Sequence, residues 1–378
     1  MKKSWILFTL FALWQCSGQE KSASFQVFDL EANMHERIDS TLTWNDLASS
    51  VEVIPLETTD SNLISEFKII DIVDDKIIGY NRQSNVSGVG AVMSSKEDIR
   101  IFNTKGEQVK MINRRGRSGE EYSNIESLAL EYNPLLFKVR ERKKMLVYDE
   151  NGKYVRMDSL KYELGQLYCL GEGKYVGENI SYRSGELYDL VVEDQYGKPI
   201  TSLFPAKIDT TRKQMVMIFR YGVMTKIPDG LLYKNAYKDT IYQIAPDLSV
   251  KPYGMFKWGE NREDGQREGG NSIEEALENV YKKLYVSSIY PFGDKIYISY
   301  SINRDFYGEI WTQGEGKPIV RNRDGIKFRF DNGKEIGLKP SLIKDNKAYF
   351  LVDSYKVQDE VGGINEDSNP VLIIVHLK

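Results

Sequence analysis

Ile99-Arg-Ile-Phe-Asn-Thr-Lys-Gly106-Glu-Gln-Val-Lys-Met-Ile112 is answered further on by Met145-Leu-Val-Tyr-Asp149-Glu-Asn-Gly152-Lys-Tyr-Val155. Each phrase is an alternating apolar run, a polar turn closing on glycine, and a second alternating run, the pattern of a β-hairpin. Asp194-Gln-Tyr-Gly197 repeats the turn between Leu187–Glu193 and Pro199–Leu203. The three turn glycines, at 106, 152 and 197, stand 46 and 45 residues apart. A four-strand unit recurring at that interval is the sequence signature of a propeller blade.

Working outward, unit one takes Phe67–Val73, Lys76–Asn81, Ile99–Phe102 and Val109–Ile112. Unit two takes Ile125–Leu130, Leu135–Val139, Met145–Tyr148 and Tyr154–Met157, and unit three adds Gln166–Leu170 and Tyr175–Asn179 to its hairpin. Unit four is looser: Val216–Phe219, Leu231–Tyr233, Thr240–Ile244 and Val250–Met255. Unit five takes Val286–Tyr290, Lys295–Ser301, Glu309–Thr312 and Ile319–Arg321. Unit six has only three strands of its own, Leu342–Lys344, Ala348–Val352 and Val371–Val375. The unused run Val51–Leu56 supplies its fourth, so the pattern predicts an all-β, six-bladed propeller closed by an N-terminal strand in the last blade. Such closure leaves fewer free sheet edges.

One segment departs from the β period. Ser272-Ile-Glu-Glu275 is a capping box, and Ile273, Ala276, Leu277, Val280, Tyr281 and Leu284 recur at helical spacing. A helix inserted between blades four and five is expected, as a strut on the rim or part of a lid. Thr43-Trp-Asn-Asp46 predicts a single helical turn through Leu47, and Phe25–Leu30 a short edge strand.

The chain opens on Lys2-Lys3 and the apolar run Trp5 to Trp14, which reads as a secretory signal over residues 1–15, too short to span a bilayer. Leu13-Trp-Gln-Cys16 resembles the lipobox of bacterial lipoproteins, which implies lipid attachment at Cys16 after cleavage. Residues 16–50 then read as tether and N-terminal segment, and 51–378 as the propeller. An anchor by a single acyl chain is marginal, so stable attachment requires multiple acylation. The other cysteine, Cys169, lies in the apolar run Leu167–Leu170, which leaves no disulfide framework. A formal charge of −4 with 28% charged residues argues against binding nucleic acid through its phosphates. An aromatic content of 12%, including 24 tyrosines, suits a strand-rich chain.

Val53-Ile-Pro-Leu-Glu-Thr-Thr-Asp60, the loop Gly116-Arg-Ser-Gly-Glu-Glu-Tyr122, the Asp-x-x-Gly turns and the ending Asn369-Pro-Val-Leu-Ile-Ile-Val375 resemble the six-bladed β-propeller lipoproteins of Gram-negative bacteria, related to NHL and TolB-like propellers. The resemblance implies the fold and a place in the cell envelope, at the outer membrane, facing periplasm or medium. It implies no activity.

Chemistry has few candidates. His35 and His376 are the two histidines, and neither stands beside a nucleophile motif. The Gly116–Tyr122 loop lacks the Lys-Ser/Thr pair of a phosphate loop and precedes a strand. Neither a catalytic residue, a metal site nor a cofactor is expected. A binding surface is the better reading. Loops joining consecutive blades share a face with the loops between second and third strands. That face gathers Arg114, Arg115, Arg117, Arg140, Arg142, Tyr182, Arg183, Arg304, Phe306, Tyr307 and Tyr355. Arg with Tyr is enriched at binding hot spots, and Arg suits carboxylate or sulfate. The expectation is a membrane-anchored, non-enzymatic propeller recognising a protein, peptide or glycan partner there. The alternative is a metal-dependent sugar or lactone hydrolase or lyase using the central channel.

Overall fold

A computed structural model of the chain describes residues 25–34, 38, 41–86, 92–180, 188–206, 216–217, 221–259, 269–270 and 272–378. The signal sequence and Cys16 lie outside the described residues. Six sheets, each with four antiparallel strands, form the blades of a β-propeller, and in five of them the four strands are sequential. Blade 1 comprises Phe67–Val73, Lys76–Val86, Val92–Asn103 and Gln108–Ile112. Blade 2 spans Ser127–Glu131 to Tyr154–Ser159, and blade 3 Leu164–Gly171 to Pro199–Pro205. Blade 4 runs from Val223–Ile227 to Val250–Lys257, and blade 5 from Tyr285–Phe292 to Pro318–Arg323. Blade 6 is Leu342–Lys344, Lys347–Val352, Val371–Leu377 and, at its outer edge, Ala48–Pro55.

The closure is antiparallel and in register, with Val53 opposite Ile373. A separate apolar wedge fills each gap between neighbouring blades. The wedge between blades 6 and 1 joins Tyr349, Leu372 and Ile374 to Ile69, Ile77 and Phe102, completing the circle. The repeated turns help lock the ring. Asp149 Oδ1 accepts from Asn151 N and Lys153 N at 2.9 Å, and Asn103 and Asp194 do the same in their turns. Such a side chain pins the turn by standing in for a backbone acceptor. Gly152 at φ 74° lies against the outer strand of the preceding blade, where a Cβ would come within 2.9 Å of Ile112 Cγ2. Gly106 makes the same approach to Ile54 and Pro55, across the closure.

Three features differ from the sequence reading. The innermost strand of blade 4 is Val223–Ile227; Val216–Met217 pairs instead with Gly269–Gly270. The apolar run at 216–219 is the stronger hydrophobic signal, but Val223–Ile227 continues directly through a short turn into Gly230–Lys234, as sequential propeller strands must. Secondly, two strands of blade 1 run well past the expected Lys76–Asn81 and Ile99–Phe102, as Lys76–Val86 and Val92–Asn103, paired out to Val86 and Val92. Thirdly, a hairpin of Ile326–Arg329 and Glu335–Leu338 is inserted between blades 5 and 6.

The N-terminal segment is also part of the body. Gln26–Asp29 adds a fifth, parallel strand to the outer edge of blade 4, burying Phe28 against Phe256 and Trp311. Gln26 then holds the turn of blade 5, accepting from Gly314 N at 2.6 Å and donating to Glu315 O at 2.9 Å. The expected helical turn is Trp44–Leu47, with the Asp46 carboxylate accepting from Thr43 N at 2.8 Å. Trp44 is fully buried among Phe292, Tyr297 and Phe350, pinning the segment at the junction of blades 5 and 6. The inserted helix is Ile273–Lys282, capped by Ser272, whose hydroxyl accepts from Glu275 N at 3.2 Å.

Candidate functional site

The arginines and tyrosines expected on the interblade-loop face play different parts. Arg140 is not on the surface. Its side chain is 1% exposed and its Nη1 meets the equally buried Glu193 of blade 3 at 2.5 Å, while Nη2 donates to Tyr162 O at 3.0 Å. Strand alternation turns it into the wedge between blades 2 and 3, so it is a wall residue. Arg114 Nε donates to Gly152 O at 2.7 Å and also links two blades. Arg115 Nε donates to Ser123 O at 3.1 Å. Arg304 pairs with Glu278 and lies over the Tyr281 ring, fastening the inserted helix to the blade 5 turn. Tyr307 stacks on Tyr300 at 5.5 Å. Arg117, Arg142 and Tyr355 are exposed, with Lys356 over the Tyr355 ring. Tyr182 and Arg183 lie outside the described residues.

The innermost strands of all six blades enclose a central channel with a cavity of about 1630 Å³. Its walls carry Phe67, Tyr168, Tyr290 and Phe292, with Leu130 and Ile343 between them. Enclosure raises the Tyr168 phenol above its ordinary range and pushes Tyr290 up to about 12, so both are neutral hydroxyls. Tyr290 donates to Ser341 O at 3.1 Å.

The two ends of the channel differ. At the C-terminal ends of the innermost strands, four blades converge on one carboxylate. Asp71 of blade 1 accepts from Lys344 of blade 6 at 2.6 Å and from the Tyr132 hydroxyl of blade 2. Lys226 of blade 4 stands 3.8 Å away, and Lys344 also donates to Ile72 O at 2.7 Å. Desolvation, with the adjacent Asp71 charge, keeps Tyr132 protonated. This network spans the channel as a polar floor. Asp71, with its lysines and tyrosine already around it, is an ion-pair member and not a free base.

At the N-terminal ends of those strands, on the interblade-loop side, the lining changes. Lys68 Nζ donates to the neutral Gln166 Oε1 at 2.5 Å, and Glu66, Ser287 and Ser288 line the same cavity. Lys68 reaches solvent through the channel yet is surrounded by protein, and that enclosure lowers its pKa. Lys339, from the inserted hairpin, lies over the Phe306 ring at 4.8 Å and is lowered for the same reason. Among the described residues no three of His, Cys, Asp or Glu come together as a metal site would need.

The family model described as a domain of unknown function, DUF4934, matches residues 25–376. The chain belongs to the DUF4934 family. This DUF4934 protein is similar in fold to a Bacteroides fragilis protein described as exported: 14% identity, TM-score 0.67, covering 93% of this chain and 99% of that one. It is also similar to a DUF4221 family member from Bacteroides vulgatus, at 11% identity and TM-score 0.55, covering 88% and 97%. These identities speak for the fold alone. No curated protein sequence matches the DUF4934 chain.

Sequence reading did not pick out Lys68, Asp71, Tyr132, Lys226, Lys339 or Lys344. A faint signal existed: Lys68, Asp71 and Lys226 interrupt short apolar runs at positions where an innermost strand usually carries small or apolar residues. Their convergence depends on the ring bringing distant blades together.

Proposed function

We propose that this protein is an exported, lipid-anchored propeller that binds a partner without transforming it, and that the ligand enters the central channel from the interblade-loop face. The observation that carries this is the asymmetry of the channel. One end is crossed by the Asp71 network from four blades, while the lining at the other carries the Lys68–Gln166 hydrogen bond with Glu66, Ser287, Ser288 and Lys339. Enclosed, largely apolar cavities with a few placed polar groups are the usual form of a ligand site. A rigid ring with loops around its mouth suits recognition of a peptide, a glycan or an exposed part of a protein. Export and anchoring at the outer membrane rest on the Lys2-Lys3 start and Leu13-Trp-Gln-Cys16. The exported description of the B. fragilis relative agrees with them.

Native mass spectrometry of the full chain, extracted gently from its own membranes, tests the binding reading. A retained mass that is lost in Ser287→Trp, which narrows the mouth, supports it; retention of no mass, or of one indifferent to that substitution, overturns it. Palmitate labelling tests the anchor: label is expected in the wild type and absent in Cys16→Ser, and an unlabelled wild type refutes it.

A further inference from the structure

The strand that closes the ring is exposed to any pull on the N-terminal end of the chain. Ala48–Pro55 runs antiparallel to Val371–Leu377, with Ala48 opposite Leu377 at one end and Pro55 opposite Val371 at the other. A pull reaching Ala48 from upstream loads that first pair alone, then the next, so the closure parts one pair at a time and at low force. A body held by a lipid on Cys16 takes every pull through this end. Among the described residues, the chain is clamped twice before it reaches the first closing pair. The first clamp spans blades 4 and 5. Gln26–Asp29 pairs along Gly254–Lys257, with Phe28 and Leu30 fully buried behind it. Gln26 Oε1 accepts from Gly314 N at 2.6 Å while its Nε2 donates to Glu315 O at 2.9 Å, so one side chain ties this strand to the next blade. Asn33 Nδ2 donates to Asp29 O at 2.7 Å, and Asn33 O accepts from Arg321, whose Nε is held by the buried Glu309 at 2.5 Å. The second clamp is Trp44, fully buried at the junction of blades 5 and 6, with Asn45 beside it. The Asn45 side chain accepts from Arg329 N at 2.8 Å and donates to Arg329 O at 3.0 Å.

We propose that residues 26–45 form a strap that carries the load of the N-terminal attachment, so that the closing strand is not pulled directly. A pull on residue 25 loads the Gly254–Lys257 ladder, the Gln26 bonds and the buried Phe28 together, and these contacts must give way as a group before tension passes downstream. The closing pairs themselves use none of these contacts, since Ala48 opens the register with Leu377. Both clamps hold the chain to blades 4, 5 and 6, the three that precede the joint in the ring. Load therefore enters the body through three blades and reaches the joint last. The role at the membrane rests on the anchor proposed above; the mechanical order of the contacts does not.

The test is single-molecule force spectroscopy of the full chain at constant force, reading the lifetime before the ring opens. One handle is fixed at Lys378 and the other is attached through an azide-bearing residue placed either at Ser24 or at the exposed Ser50. The Ser50 handle pulls on the closing strand and bypasses both clamps; the Ser24 handle pulls through them. The lifetime is expected to be longer from Ser24 than from Ser50 at the same force. Gln26→Ala removes two neutral hydrogen bonds of the first clamp and is expected to shorten the Ser24 lifetime roughly twofold to tenfold per bond. The same substitution is expected to leave the Ser50 lifetime unchanged, which separates loss of the clamp from general loss of stability. Equal lifetimes from the two handles, or a Ser24 lifetime indifferent to Gln26→Ala, overturn the proposal. So does a short first extension from Ser24, no more than about 80 Å for residues 26–47, followed by opening as fast as from Ser50. An unlabelled wild type in the palmitate experiment removes the anchor and with it the role at the membrane, while the lifetimes decide separately whether the strap bears load.

Discussion

Replacing Arg140 by alanine is expected to unfold this protein more readily without any ligand being involved. The guanidinium and Glu193 are each 1% exposed and meet at 2.5 Å across the wedge between blades 2 and 3. Burial pushes the Glu193 carboxyl up, and the attraction of Arg140 opposes it. Removing one partner leaves a buried charge uncompensated and the Tyr162 carbonyl without its donor, a loss of about 3–5 kcal/mol. Unfolding entropy of about 2.1 cal/mol/K per residue over the matched span 25–376 converts this to a fall in Tm of about 4–7 °C. Replacing both residues by methionine removes the two charges together and is expected to return most of that stability. The assay is urea and thermal denaturation followed by circular dichroism, on the two single variants and the double. An Arg140→Ala protein within about 0.5 kcal/mol of wild type, or a double variant whose loss equals the sum of the singles, refutes the wall assignment and returns Arg140 to the rim.

Three further outcomes follow from the fold. Gly152→Ala is expected to cost more than Gly333→Ala in urea denaturation, because both have positive φ but only at Gly152 does the new Cβ meet a neighbouring blade; equal losses contradict the turn-on-blade contact. Ile373→Ala, at a fully buried position of the strand that receives the closing segment, is expected to lose about 2–5 kcal/mol, and a loss below about 1 kcal/mol argues against a packed closure. Glu178 is buried and its two carboxylate oxygens share the single Gly222 N–H; burial, only partly opposed by that contact, raises its carboxyl to about 7. The folded state therefore holds this proton more tightly than the unfolded chain, and stability falls as pH rises from about 4.5 to 7, by roughly 3 kcal/mol in all. Glu178→Gln is expected to flatten that slope between pH 5 and 8, and an unchanged slope refutes the assignment.

Blades 1 to 3 were legible because each repeats the same hairpin and the same pinned turn. Blades 5 and 6 were legible from alternation, and the closing strand because blade 6 lacked a fourth. Blade 4 failed at its first strand: Val-Met-Thr-Lys-Ile puts two polar residues in five positions, since Lys226 serves the channel floor, and the more apolar run at 216–219 drew the assignment. The edge strand Gln26–Asp29 was legible as a strand, but not its parallel partner more than 200 residues away. The rim arginines illustrate a similar limit. Topology alone assigns them to one face, yet strand alternation turns Arg140 inward and blade contacts occupy Arg114 and Arg304. The channel was illegible for a different reason: its polar groups come one or two from each blade, and none stands near another in sequence.

Amine-labelling mass spectrometry on the full chain, comparing intact cells with the purified protein, tests most directly whether the channel is the site of action. In the purified protein Lys68 and Lys339, open to solvent and of lowered basicity, are expected to label readily; in cells, where the partner is present, both are expected to be protected while Lys110, Lys153 and Lys251 on the outer strands and turns label equally in the two states. Protection of those outer lysines, with Lys68 and Lys339 labelling alike in cells and in solution, would contradict it.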